Sequence, residues 1–136
     1  MIEKTCNLWL EKADFRCIPT NGAVADGEAV LDHFLAKEAA DRYQGLGLDL
    51  GRLLTQRGNH VHELRPGLLS FPIKQFQWSG PALDVIGRSA EELAAIVGEA
   101  TTLLPRPGCG DGELAWEDVA GVLASLPDNV IVIQHV

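Results

Sequence analysis

The sequence is short of cysteine and of positive charge, and each shortage excludes a class of protein. Its three cysteines, Cys6, Cys17 and Cys109, show neither a disulfide framework nor the CxxC spacing of a metal site. We therefore expect a protein of the reducing cytoplasm. No apolar run approaches the roughly 18 residues of a membrane span, and no basic segment followed by an apolar stretch opens the chain. We expect no membrane association.

Positive charge is scarce, because 11 Lys and Arg residues stand against 19 Asp and Glu, which gives a formal net charge of −8. A protein that binds DNA or RNA non-specifically needs basic surface to replace counterions, so we expect no such binding. A small anionic ligand is still compatible with this charge. Backbone N–H groups bind phosphate without any net positive charge.

The 136 residues are 46% hydrophobic, which is enough for one domain, 1–136, that buries roughly two-thirds of its unfolded surface. Strands and helices alternate along the chain, and the most apolar runs are continuous. This pattern predicts an α/β fold in which a mainly parallel sheet is covered by helices on both faces. Strands are predicted over 1–10, 15–20, 60–64, 68–73, 101–104 and 129–136, and helices over 27–43, 46–58, 80–98 and 115–126.

Three segments follow predicted strands with unusual chemistry: "PTNG" at 19–22, "FPIK" at 71–74 and "PRPGCGDGEL" at 105–114. In sheets of this class, ligands bind in the crevice beyond the carboxyl ends of the strands. The predicted fold brings these three distant segments to one rim. We therefore expect a binding site there.

The glycine-rich stretch "GCGDG" at 108–112 suits a diphosphate, because glycines let consecutive N–H groups form an anion-binding concavity before a helix. A tight strand-to-helix connection without any ligand explains the spacing equally well. The stretch is neither a Walker loop nor a GxGxxG fingerprint, so a P-loop nucleotidase is not expected.

Other candidate residues have simpler structural explanations. His60 and His62 alternate and could share one face of a strand as metal ligands, but a third ligand is not evident and a polar strand face is favoured. Cys109 is better explained as a small loop residue than as a nucleophile. Phe76 and Trp78 are candidates for the wall of the cleft.

"FPIK", the tryptophan after it, and "LPRPGCGDGELAWEDV" closely resemble the macro domain, in particular small bacterial and phage macro-like proteins. The chain is also similar to the branch that contains DNA ADP-ribosyl glycohydrolase antitoxins and the terminal ADP-ribose protein glycohydrolase. "CNLWLEKADFRCIPTNG" is similar to the family's first two strands. The resemblance implies a three-layer α/β/α fold and ADP-ribose, free or attached to a macromolecule, as the partner, with no cofactor and no metal.

The resemblance also implies roles for particular residues. Asn7, next to Leu8, matches the position that contacts the adenine amino group, and Asn21, next to Gly22, matches the family Asn beside the distal ribose. The diphosphate loop corresponds to Gly108, Cys109, Gly110, Asp111 and Gly112. Lys74 matches the lysine that acts at the anomeric carbon in the glycohydrolase branch, and Asp111 could assist water or orient that lysine.

One segment departs from the family pattern. The family's first phosphate loop runs Gly-x-Gly, whereas "DHFLA" at 32–36 places Asp32 and Phe34 at the glycine positions. These side chains would crowd the distal ribose and bring negative charge towards the diphosphate, unless the helix simply starts earlier. Three functions follow as hypotheses: an ADP-ribosyl glycohydrolase, a non-catalytic nucleotide-binding module, and a degenerate fold used for protein contact.

Overall fold

The computed structural model describes residues 1–110 and 113–136, and a six-stranded sheet forms its centre. Asp111 and Gly112 lie outside the described residues. The elements in chain order are β1 (Ile2–Cys6), β2 (Phe15–Thr20), β3 (Val24–Ala25), β4 (Glu28–Ala29), α1 (Phe34–Arg42), α2 (Leu46–Arg57), β5 (Glu63–Arg65), β6 (Leu68–Pro72), α3 (Leu83–Val97), β7 (Thr102–Pro105), α4 (Trp116–Leu123) and β8 (Val130–His135).

The strands of the central sheet lie in the order β1-β8-β7-β2-β6-β5. All neighbours are parallel except β5 and β6, which form an antiparallel hairpin. Gly67 closes this hairpin with a φ of +80°, a conformation that favours glycine. The sheet is therefore mixed and mainly parallel, as the sequence predicted.

Two separate hydrophobic clusters cover the two faces of the sheet. Neighbouring residues of one strand point to opposite faces, so Cys17 of β2 belongs to the cluster under α3 and α4, and Ile18 belongs to the cluster under α1 and α2. The same alternation separates Leu104 from Leu103 in β7. This arrangement confirms the predicted three-layer α/β/α fold.

The segment 24–33 differs from the helix predicted over 27–43. β3 and β4 form a small antiparallel hairpin, whose turn residues Asp26 and Gly27 have φ values of +54° and +81°. Helix α1 begins only at Phe34, after His33, whose Nδ1 accepts a hydrogen bond from the Leu35 N–H at 3.1 Å. The Asp-Gly pair is a strong hairpin signal, and it outweighs the helical spacing of the apolar residues around it.

Smaller differences concern the ends of three elements. β1 ends at Cys6 rather than continuing to residue 10, and β5 begins at Glu63 rather than at residue 60. Pro81 precedes α3 instead of lying in its first turn, since the helix begins at Leu83. Over residues 1–110 and 113–136, we find no helix with both the length and the apolar character needed to cross a membrane.

Candidate functional site

A cleft of about 530 Å³ lies where β2, β6, β7 and β8 end. The three segments that the sequence singled out all contribute to it, together with the loop before α1. The lining residues are Pro19, Thr20, Asn21, Val30, Asp32, His33, Phe34, Leu35, Ile73, Lys74, Pro105, Arg106, Gly108, Cys109, Gly110, Glu113, Ile133, Gln134 and His135.

Asn21 lies directly after β2 and is only 3% exposed. Its Nδ2 donates to the Val30 carbonyl and to Asp32 Oδ1, both at 3.1 Å, and its Oδ1 accepts from the Ala23 N–H at 2.8 Å. The side chain therefore ties the end of β2 to the segment before α1. It also fixes one carboxylate oxygen of Asp32.

Lys74 follows β6 and is half-buried at the rim of the cleft. Its Nζ donates to the Gln77 carbonyl at 3.1 Å, and its own carbonyl accepts from Asn59 Nδ2 at 3.0 Å. Helix α3 supports the strand end, because the buried Ser89 hydroxyl donates to the Pro72 carbonyl at 2.7 Å. Lys74 is thus held on a fixed backbone.

The loop after β7 contains two glycines in different surroundings. Gly108 has a φ of +75°, and a Cβ there would lie 2.9 Å from the Pro81 Cβ and 3.0 Å from a Leu114 methyl group. For Gly110, the structure describes no atom beyond its chain neighbours within 4 Å of the place where its Cβ would stand. The fold therefore requires glycine at 108, whereas at 110 a side chain would extend into open space beside the cleft.

Cys109 lies between these glycines and is half-buried. Burial raises the pKa of its thiol above the ordinary value, and the nearby Arg106 guanidinium acts in the opposite direction. Its Sγ contacts the Pro107 carbonyl at 3.6 Å. A protonated thiol in this position is a poor nucleophile, in agreement with the explanation of Cys109 as a small loop residue.

Three predicted site residues do not line the cleft. The Asn7 side chain bonds within its own turn and to the chain end, with Oδ1 accepting from the Trp9 N–H and Nδ2 donating to the Val136 carbonyl, each at 2.9 Å. Leu8 is fully buried in the core. Gly22 packs against the loop after β6, where a Cβ would approach the Gln75 carbonyl oxygen to 2.7 Å.

The other aromatic and histidine candidates also lie elsewhere. Phe76 and Trp78 stack on each other with ring centroids 4.9 Å apart, and both are exposed outside the cleft. His60 Nδ1 lies 2.7 Å from Glu92 Oε2, while His62 is buried. Within the described parts of the chain, no group of three His, Cys, Asp or Glu side chains is placed to hold a metal ion.

The end of β8 was not expected at the cleft from the sequence, and it contributes Ile133, Gln134 and His135 to the lining. His135 ends β8, and its Nδ1 accepts from the Leu8 N–H at 3.0 Å. The sequence signal for it was the closing strand, whose carboxyl end reaches the same sheet edge. The cleft thus combines the cationic Lys74 and Arg106 with two carboxylates.

The comparisons with solved structures agree with the fold. No protein-family model matches the sequence, and no curated protein matches it. The structure is similar to the macrodomain of Mycobacterium tuberculosis DarG, with a TM-score of 0.80 and 18% identity over 99% of this chain and 97% of that chain. For the macrodomain of Thermus aquaticus DarG, the TM-score is 0.72 at 17% identity, with 99% and 97% covered.

A third similar structure is Thermosipho africanus DarTG in complex with ADP-ribose, with a TM-score of 0.72 and 13% identity. The likeness covers 96% of this chain and 41% of that longer chain. At these identities a likeness establishes the fold. The mixed six-stranded sheet and the three layers agree with it, and we conclude that this chain has the macrodomain fold.

Proposed function

We propose that the chain binds ADP-ribose, or an ADP-ribosyl group on a larger molecule, in the cleft at the carboxyl edge of the sheet. The observation that carries the proposal is the cleft itself, which four strand ends, the 106–110 loop and the segment before α1 enclose. The similar DarTG structure was obtained with ADP-ribose, which supports this choice of ligand over other nucleotides.

The proposed diphosphate contact is the backbone of Gly108, Cys109 and Gly110, continuing into Asp111 and Gly112. Backbone N–H groups suit this ligand because they bind an anion without adding positive charge to a chain of net charge −8. Lys74 and Arg106 add two cationic side chains at the same cleft. The roles of Asn7, Leu8 and Gly22 stay predictions, since these residues lie outside the lining.

Calorimetric titration with ADP-ribose tests the binding. The informative variant is Gly110→Val, because a Cβ at Gly110 would meet no side chain of the described residues and the added side chain would fill ligand space. We expect at least a tenfold loss of affinity, which is about 1.4 kcal/mol. Gly121→Val is the matched control, since Gly121 is exposed in α4 and is equally free of neighbours.

Two results would contradict the proposed binding. Absence of both heat and thermal shift with wild-type protein at millimolar ADP-ribose would exclude it outright. Full affinity in Gly110→Val would leave the binding of ADP-ribose intact but would contradict the assignment of the diphosphate to the glycine loop.

We further propose that the site hydrolyses the ADP-ribosyl linkage. Water adds to the anomeric carbon as the bond from that carbon to the substrate breaks, and the proton from water ends on the leaving atom. Lys74 lies at the end of the cleft formed by β2 and β6 and would act at that carbon, while Asp111 would assist the water or orient the lysine. Groups placed in this way typically accelerate a reaction 10²- to 10⁴-fold.

Release of ADP-ribose from modified protein and from modified DNA tests the hydrolysis. For Lys74→Ala we expect release to fall about a hundredfold while ADP-ribose affinity changes little. Lys37→Ala is the control, because Lys37 is exposed on α1 away from the cleft lining. Unchanged release in Lys74→Ala would exclude the lysine mechanism.

A non-catalytic binding module is the second candidate function, and a specific observation favours it. Asp32 and Phe34 line the cleft at positions where the resemblance implies glycine. Phe34 is 65% exposed, and its ring lies 6.4 Å from that of His135. Binding of ADP-ribose by wild-type protein without release from either modified substrate would assign this second function.

A further inference from the structure

We infer that Asp32 determines specificity by accepting hydrogen bonds from the hydroxyls of the ligand's terminal ribose. This inference rests on the proposed binding of ADP-ribose and names the residue that binds the hydroxyls of the terminal ribose. It concerns a carboxylate at a position where the resemblance implies glycine, so the family pattern does not supply it.

The contacts of Asp32 leave it available to a ligand. Its Oδ1 accepts from Asn21 Nδ2 at 3.1 Å, which orients the carboxylate. Within residues 1–110 and 113–136, Asn21 supplies the hydrogen bond to this carboxylate, and Asp32 lines the cleft. Lys74 Nζ instead donates to the Gln77 carbonyl, and Arg106 pairs with Glu3.

The position of Asp32 in the cleft decides which part of the ligand it meets. The lining runs across β8, β7, β2 and β6, three strand spacings or roughly 14 Å. The diphosphate loop follows β7 in the middle, so the two ends of an extended ligand lie towards β8 and towards β6. Asp32 is bonded to Asn21 at the end of β2, the strand next to Lys74, and therefore belongs to the end where the terminal ribose would lie.

The chemistry of a carboxylate fits a sugar better than a phosphate. An oriented carboxylate accepts from ribose hydroxyls, as Asp and Glu do in dinucleotide sites, and such charge-assisted bonds are about twice as strong as neutral ones. The same charge repels a phosphate group. Asp32 thus selects a ligand that presents free hydroxyls at this end.

The test compares ADP-ribose with the β-methyl ester of ADP, which lacks the terminal ribose but carries the same two diphosphate charges. The ratio of the methyl ester's dissociation constant to that of ADP-ribose measures how much this sugar contributes, because the two ligands have equal charge. In Asp32→Asn the side chain keeps its shape and an oxygen for Asn21 but loses its charge. We expect the ratio to fall roughly fivefold. Asp26→Asn is the control, because it makes the same charge change on the exposed turn of the neighbouring hairpin, where Asn also tolerates positive φ.

The ratio separates this inference from simple charge repulsion. If Asp32 only repels the diphosphate, Asp32→Asn strengthens the binding of both ligands equally and leaves the ratio unchanged. An unchanged ratio therefore overturns the inference. Wild-type protein that binds both ligands with equal affinity also overturns it. Wild-type protein that binds neither ligand contradicts the proposed function itself, a result that calorimetry distinguishes from the other two.

Discussion

Single residues at the strand ends serve the fold and the cleft at once. Asn21 uses both of its amide hydrogens to hold the Val30 carbonyl and the Asp32 carboxylate, so it shapes the loop that the ligand would meet. Gly108 is required by its backbone conformation and by close neighbours, whereas the described residues impose neither constraint on Gly110. A loss of binding after substitution of Gly110 therefore reports a lost ligand contact. A loss of binding after substitution of Gly108 reports a disturbed fold instead.

Cys17 allows a prediction about pH at the scale of one residue. It is fully buried in β2, and burial raises the pKa of its thiol above the ordinary value of 9.0. Above pH 9 the unfolded chain loses this proton while the folded protein keeps it. The free energy of unfolding therefore falls as pH rises, by up to about 1.4 kcal/mol per pH unit for this group.

Urea unfolding at pH 8 and pH 10 checks this expectation. Between these pH values, wild-type protein should lose about 1.4 kcal/mol more than Cys17→Ala, which has no thiol to titrate. Equal losses in the two proteins would show that burial does not set the titration of this thiol.

At the scale of elements, helix α2 packs its glycines differently against the β3–β4 hairpin. Gly51 is buried, and a Cβ there would lie 2.3 Å from the Gly27 carbonyl oxygen. A Cβ at Gly47, one turn earlier, would lie 3.7 Å from its nearest neighbour, the Ala29 carbonyl oxygen, which is an ordinary van der Waals contact. The hairpin therefore requires close approach at one position of the helix and not at the other.

This contrast predicts opposite effects for the same substitution. Gly47→Ala should raise the free energy of unfolding by about 0.5 to 1 kcal/mol, because alanine favours the helix. Gly51→Ala should lower it by roughly 1 to 3 kcal/mol, since the hairpin must move to make room. Denaturant unfolding of both variants measures the effects. Stabilisation by Gly51→Ala would contradict the packing of α2 on the hairpin.

At the scale of the whole molecule, the cleft joins elements that are far apart in sequence. Its lining comes from four strand ends, the segment before α1 and the loop after β7. A ligand that bridges these parts binds the folded chain and not the unfolded one, so binding adds to global stability.

Thermal unfolding should therefore respond to ADP-ribose. At a ligand concentration a hundred times the dissociation constant, the free energy of unfolding rises by about 2.7 kcal/mol. For a chain of 136 residues, this corresponds to a rise in Tm on the order of 10 °C. Gly110→Val at the same ligand concentration should show at most about half this rise, because a tenfold weaker affinity leaves about 1.4 kcal/mol. An equal rise in both proteins would place the ligand outside the glycine loop.

The sequence by itself determined the layers of this protein and the edge at which its cleft lies. Continuous apolar strands alternating with amphipathic helices require a mainly parallel sheet covered on both faces, because only that arrangement buries all of them. Parallel strands place their carboxyl ends together, so the order of strands and helices along the chain was enough to assign Asn21, Lys74 and Gly108 to one rim.

Only the tertiary structure decided the details of the cleft. The sequence carries an Asp-Gly hairpin signal at 26–27 beside a helical spacing, and only the pairing of β3 with β4 showed which of the two this segment follows. His135 reached the rim only because β8 ends beside β7. The hydrogen bond between Asn21 and Asp32 joins two loops whose approach depends on packing. Because of this bond, the carboxylate that stands at a glycine position of the family pattern has a fixed orientation.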